Sequence, residues 1–232
     1  MIDPDAPQRF EPPVNPIPPV IVVLTLIIVV VEGAFSLAEA GLLGGRTAIG
    51  WRLAGLNDYA LNPRMWDVLV ARGFADLDLA RRFVTYAFVH GSFTQALFGA
   101  ALLLALGKFV GEAFGAVATL VFFFGGAIFG AVVFCLLAPD TSPLFGVYPP
   151  IYALIGAYTY SIWLRLGQTG ENQLRAFQLI GVLLGLQLVF GMIFGGGFGW
   201  IAELAGFVFG FAAATVLVPG GLAALLDRLR ER

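Results

Sequence analysis

The stretch AFGAVATLVFFFGGAIFGAVVFCLLA, residues 113 to 138, has no charged side chain from one end to the other. A bilayer core takes about 20 apolar residues as one helix. Lipid offers no partner to backbone N–H and C=O groups, so such a run must coil to satisfy itself. Working outward from it, five further apolar runs lie at 18–44, 83–106, 148–165, 174–195 and 199–218. The chain is 59% hydrophobic and 12% charged over 232 residues, whereas about a quarter of an ordinary soluble domain is charged. These runs predict an all-α polytopic membrane protein with six transmembrane helices.

The rest of the chain is short. Residues 1–17 are proline-rich and acidic and read as a disordered tail, residues 18–218 as one membrane domain, and 219–232 as a short C-terminal tail. The longest polar gap, 45–82, alternates Trp51, Leu53, Leu56, Leu61, Trp66, Val68 and Leu69 with charges, the pattern of an ordered loop partly on the membrane surface. An even number of spans puts both termini on one side. Arg46, Arg52, Arg64, Arg72, Arg81 and Arg82 then share a single loop on the other side, while the short loops near 139–147 and 196–198 have no basic residue. Positive-inside bias therefore leans toward cytoplasmic termini. Net charge is -2 with no basic block, which argues against nucleic acid as a partner. Cys135 and His90 are the only cysteine and histidine, too few for a disulfide or the usual zinc set. No cofactor or metal is implied.

Glycine is abundant, with 30 residues. Helices in lipid gain contact by close backbone approach, and glycines recur at helical spacing: Gly107/Gly111/Gly115, Gly126/Gly130, Gly181/Gly185, Gly191/Gly195 and Gly206/Gly210. These pairs predict packing faces within the bundle, with a homo-oligomer interface as the alternative. Phe122 to Phe124, Phe190, Phe194, Phe207 and Phe209 are read as facing lipid or filling gaps.

Three stretches together resemble the rhomboid family of intramembrane serine proteases. RRFVTYAFVHGSFTQALFG, residues 81–99, is similar to the family's entry into its second helix, where a histidine, a second histidine five later and an asparagine four beyond are expected. GVYPPIYALIGA, residues 146–157, is similar to its G-x-S-G-x-x-Y/F-A-L-x-G, and AELAGFVFG, residues 202–210, to its A-H-x-x-G-x-x-x-G. Trp51-Arg52 resembles the family's W-R pair, and Gly107, Glu112 and Gly115 approximate a G-x-x-x-E-x-x-x-G with spacings off by one. The resemblance implies a six-helix rhomboid-like bundle with a serine–histidine dyad on its fourth and sixth helices, and it carries Gly156, Gly206 and Gly210 as helix-packing positions.

The departures fall on the chemistry. Tyr148 stands where the family has its nucleophilic serine, Glu203 where it has the general-base histidine, and Gln95 and Gly99 where it has the oxyanion-stabilising histidine and asparagine. His90 matches the first histidine, and Tyr152 the aromatic under the family's base. A phenol with a pKa of about 10 and a carboxylate near 4 make a badly matched nucleophile and base. Pro149 and Pro150 have no N–H to stabilise an oxyanion, yet proline suits the first turn of a helix. The expected site is thus a remnant of Tyr148, Tyr152, Glu203, Gln95 and His90, in which a neutral Glu203 carboxyl bonds the Tyr148 hydroxyl as a structural tie. A solvated Glu203 facing water is the alternative.

Glu32 and Glu39 sit two turns apart on the first span, and an ionisable group inside a membrane helix is a candidate site by default. They are expected to be paired or protonated against a neighbour. A proton or cation path through Glu32, Glu39 and Glu203 is the transport alternative, and a protease using Ser92 or Ser142 is the enzymatic one. By resemblance to inactive relatives, the expected function is a pseudoprotease in a bacterial-type inner membrane. It would contact membrane lipid and transmembrane segments of client proteins, which would dock between helices two and five near Phe190 and Phe194.

Overall fold

The computed structural model describes residues 17–194 and 197–218, with the side chains of residue 46 and of 187–194 outside the description. The described residues are mostly helical: α1 (Pro19–Glu39), α2 (Trp51–Tyr59), α3 (Arg64–Ala71), α4 (Leu77–Thr85), α5 (Phe93–Leu137), α6 (Tyr148–Thr169), α7 (Gln178–Phe194) and α8 (Trp200–Leu217). By length and composition α1, α5 and α8 are each able to cross a membrane.

Helix α5 is a hairpin. Its one non-helical residue is Gly115, at φ 82° and ψ 172°, a combination open to glycine and closed to bulkier residues. If residues 93 to 123 ran straight they would span about 45 Å. Instead the rings of Phe88 and Phe123 sit 5.8 Å apart, and the Tyr86 hydroxyl donates to the Ala127 carbonyl at 2.9 Å. The chain therefore doubles back at Gly115 into two limbs, 93–114 and 116–137. The limbs correspond to the expected second and third spans with three corrections. The first limb starts at Phe93, not 83, because Ser92 caps it by accepting from the Gln95 N–H at 3.2 Å. No polar loop separates the limbs. Gly115 is the turn itself and packs against nothing.

The other boundaries have local causes. Helix α1 ends at Glu39 rather than 44, as Gly41, Gly44 and Gly45 take positive φ. Helix α6 opens on Val147 with prolines in its first turn and continues to Thr169, where Gly170 in the left-handed region terminates it. The 45–82 gap is ordered as α2, α3 and most of α4, pinned to the 139–147 loop by reciprocal backbone bonds between Leu61 and Leu144.

Helix α6 is the centre of the bundle: an unbroken run from Pro149 to Ala157 is buried. Surrounded by α5 and α8, it needs no apolar coat toward lipid, so its composition is less hydrophobic than theirs. The α6–α8 contact rests on glycine. A Cβ on Gly206 would lie 2.2 Å from the Pro149 carbonyl oxygen, one on Gly210 1.9 Å from that of Ala153, and one on Gly156 2.2 Å from that of Phe207. Gly126 and Gly130 admit Ala153 and Ala202, and Gly107 admits Ile21 of α1. Gly181 and Gly185 do not follow this rule: among the described residues nothing lies within 4 Å of a Cβ at either, so they form no packing face there. Gly191 and Gly195 fall outside the described side chains, as do Phe190 and Phe194.

Candidate functional site

The sequence brings the remnant residues to one end of the bundle, around the N-terminus of α6. A helix start leaves its first N–H groups without partners in the helix. Here the Val147 N–H donates to His90 Nε2 at 3.3 Å, Pro149 and Pro150 have no N–H, and the Ile151 N–H reaches the Val147 carbonyl at 3.1 Å. That leaves the N–H of Tyr148 from the first turn. His90 is buried, and accepting through Nε2 matches the neutral Nδ1–H tautomer. Ser92 serves as the cap of α5.

The Tyr148 hydroxyl donates to the Gln95 backbone carbonyl at 3.3 Å, so its single proton goes to α5, and the expected tie to Glu203 would use the phenol oxygen as acceptor from a neutral carboxyl. The Gln95 side chain folds over its own helix start, its Oε1 accepting from the Gly91 N–H at 2.8 Å. Its amide nitrogen lies against Gly146, where a Cβ would come within 3.0 Å. Gly99 provides the room for this arrangement: a Cβ there would strike Val147 at 2.6 Å and stand 3.5 Å from His90 Nε2. The space beside Gly99 is therefore filled by Val147 and His90.

Glu203 is buried in the first turn of α8. It lies within electrostatic range of three tyrosines, Tyr148, Tyr152 and Tyr86. Tyr86 is fully buried and bonds at both ends: its hydroxyl to Ala127, its carbonyl from the Gly146 N–H at 2.9 Å. Sequence reasoning passes over Tyr86 because its partners are distant in the chain.

Sequence reasoning also fails to connect Arg52 to the two glutamates of α1. The buried stripe of α1, Ile21, Leu24, Thr25, Ile28 and Glu32, follows helical spacing and points Glu32 into the bundle. Arg52 meets it with all five of its N–H donors engaged. Nη1 and Nη2 fork onto Glu32 at 2.9 and 2.7 Å, Nε and Nη2 onto Glu39 at 2.6 and 3.1 Å, and Nη1 reaches the His90 carbonyl at 3.1 Å. Ser36 adds a bond to Glu32 at 2.8 Å, and the Phe35 ring lies 5.5 Å from the guanidinium. Hydrogen bonding to Glu32, then to Glu39, holds the Arg52 guanidinium above its ordinary pKa. Glu32 and Glu39 are thus spent on one cation, and a chain of bonds runs from α1 through Arg52 and His90 to the start of α6.

Comparison with protein-family models matches residues 79–220 to the one described as Rhomboid domain. The matched segment runs from α4 through α8 and contains Tyr148, Tyr152, Glu203, Gln95, Gly99 and His90. No curated protein matches the chain.

Proposed function

The chain belongs to the rhomboid family, and from that premise we propose that it is a non-proteolytic member, an integral membrane protein that binds or regulates transmembrane segments of client proteins. The observation that carries the reading is the use of hydrogen-bonding groups at the head of α6. A serine protease needs a nucleophile beside a base and donors aimed at a developing oxyanion. Here the aligned hydroxyl is the Tyr148 phenol, bonded to a backbone carbonyl. The one imidazole accepts from Val147, and two amide donors are replaced by proline.

Client binding follows from what is kept. The helices pack as a bundle whose outward apolar faces meet lipid, and a client helix or a second copy of the chain would use those faces. We place it in a bacterial-type inner membrane with six spans and both termini cytoplasmic.

The test is a fluorophosphonate probe on the detergent-purified protein, beside a variant carrying Tyr148→Ser, Pro149→Gly and Glu203→His. No labelling of the native chain with labelling of the variant is the expected result. Labelling of the native chain at any serine overturns the proposal and identifies a protease with a relocated nucleophile.

A further inference from the structure

The second limb of α5 and helix α8 leave an apolar groove between them. Phe129, Val133 and Leu137 form one wall and Trp200, Leu204 and Val208 the other, each row spaced by four so that it runs as one ridge along its helix. Ile201 and Ala205 make the floor. No charged or hydroxyl side chain lines it. Its rims are exposed, Leu137 at 68%, Val208 at 52% and Trp200 at 47%, and both helices are long and apolar enough to cross a membrane, so the groove opens toward lipid.

The groove is blind on two sides. Behind the floor the helices touch through backbone, because a Cβ on Gly130 would lie 2.7 Å from the Ala202 carbonyl oxygen. Toward the middle of the bundle Phe209 closes it: its ring is 5.8 Å from that of Phe129, and a Cβ on Gly125 would come within 2.3 Å of it. The other end is open at Leu137 and Trp200, the last residue of the limb and the first of α8, and tryptophan at a helix end marks the headgroup level. From that mouth to Phe129 and Val208 is about 12 Å along either helix.

Size and shape select the occupant. The groove has a volume of about 570 Å³. A helix about 10 Å across would need about 900 Å³ over the same length of about 12 Å, so a helix rests on the rims and does not enter. Water gains nothing from a lining that offers it no polar partner. A single hydrocarbon chain fits. Entering at headgroup level, it runs down between the two ridges and stops at Phe209. The floor residue Ile201 belongs to the turn that carries Glu203, so whatever fills the groove completes the packing of that turn.

We propose that this groove seats one acyl chain of a phospholipid from the leaflet on the side of the α6 N-terminus, as a bound lipid held against the first turns of α8 and distinct from the lipid that merely surrounds the bundle.

The test uses the full-length protein in nanodiscs of phosphatidylcholine and phosphatidylglycerol with a small fraction of phosphatidylcholine that has a diazirine in mid-chain. After irradiation, tail adducts are mapped by peptide mass spectrometry over 129–137 and 200–208, with the segment around Val30 of α1 as reference. Val30 is 67% exposed and lies at a comparable distance from its own helix end at Glu39, so lipid that only surrounds the bundle labels it at least as well as the groove. The groove is expected to carry severalfold more adduct than the reference, and Val208→Trp and Val133→Trp, which fill it from opposite walls, to bring it down to the reference level. The native map decides without either variant, and the two variants lie on different helices, so a fold lost in one leaves the other. Equal labelling of groove and reference in the native protein, or undiminished labelling in a folded filling variant, overturns the proposal. A dimer seen by native mass spectrometry and dissociated by the filling variants also overturns it, and gives the groove to a second copy of the chain.

Discussion

Replacing Arg52 with methionine tests the polar framework that joins α1 to α6. Methionine keeps the length and the apolar stem and removes all five donors. The Glu32 side chain, 6% exposed, is left beside the Ser36 hydroxyl without its countercharge. Breaking one partner out of a buried pair costs about 3–5 kcal/mol, a large share of a total stability of about 5–15 kcal/mol. Glu39, whose side chain is 44% exposed, contributes as a surface pair worth about 0–1 kcal/mol, so Glu39→Ala is expected to be nearly silent. The discriminating variant combines Arg52→Met with Glu32→Leu. Removing both charges leaves no buried ion, only the half-exposed Glu39 carboxylate, and stability is expected to return to within about 1 kcal/mol of the native chain, because well-packed apolar replacements of buried pairs are often neutral. Reversible denaturation in mixed micelles, followed by circular dichroism and tryptophan fluorescence, reads all four proteins. If Arg52→Met loses less than about 1 kcal/mol, or the double variant is no better than the single one, the Glu32–Arg52 pair is not the buried charge pair described.

The glycines of the α6–α8 contact separate from those of α7. Gly206→Ala and Gly210→Ala drive a methyl into a carbonyl and are expected to lower stability by about 1–3 kcal/mol or more, whereas Gly181→Ala and Gly185→Ala meet open space and are neutral or gain up to about 1 kcal/mol of helix propensity; thermal unfolding in detergent measures both sets. Glu203→Gln retains the shape and hydrogen-bonding capacity of a neutral carboxyl and is expected to change stability by less than about 1 kcal/mol, while Glu203→Leu leaves polar neighbours unsatisfied and costs about 1–3 kcal/mol. A collapse of Glu203→Gln to the level of Glu203→Leu would show that the ionised carboxylate is what the site requires.

The membrane class is legible because apolar runs of bilayer length have no other stable use, and the start of α6 is legible because Pro149-Pro150 marks a first turn. The hairpin of α5 is hidden: Gly115 follows Gly107 and Gly111 at the same spacing as a packing stripe, and only its backbone dihedrals reveal a turn. The glycine pairs show the same ambiguity, since Gly206/Gly210 and Gly181/Gly185 are indistinguishable as spacing and opposite as environments. The connections of Arg52 escape for a different reason. Its partners Glu39, Glu32 and His90 lie 13, 20 and 38 positions away, and no local periodicity links residues that only the folded loop brings together. The same holds for the Tyr148 hydroxyl, whose bond to the Gln95 carbonyl, 53 positions away, depends on how closely α5 approaches through Gly99.

Rhomboid geometry survives here because the contacts that hold α6 against α8 are made by the backbone and not by the site's side chains. Gly206 and Gly210 seat α8 on the carbonyls of Pro149 and Ala153, so Tyr148 and Glu203 are brought near each other whether or not they bond. A hollow lined with donors for a reacting oxygen would carry unpaired polar groups in a dry environment, each costing a few kcal/mol. In this chain two of those donors are deleted by proline, one is given to His90, and the space beside Gly99 is taken by Val147. Of the first-turn donors of α6, the prolines and the His90 bond therefore leave only the Tyr148 N–H. A helix bundle relieved of that burden retains its outward apolar faces and the Arg52–His90 strut, which is what the proposed holding of a neighbouring helix in the membrane would use.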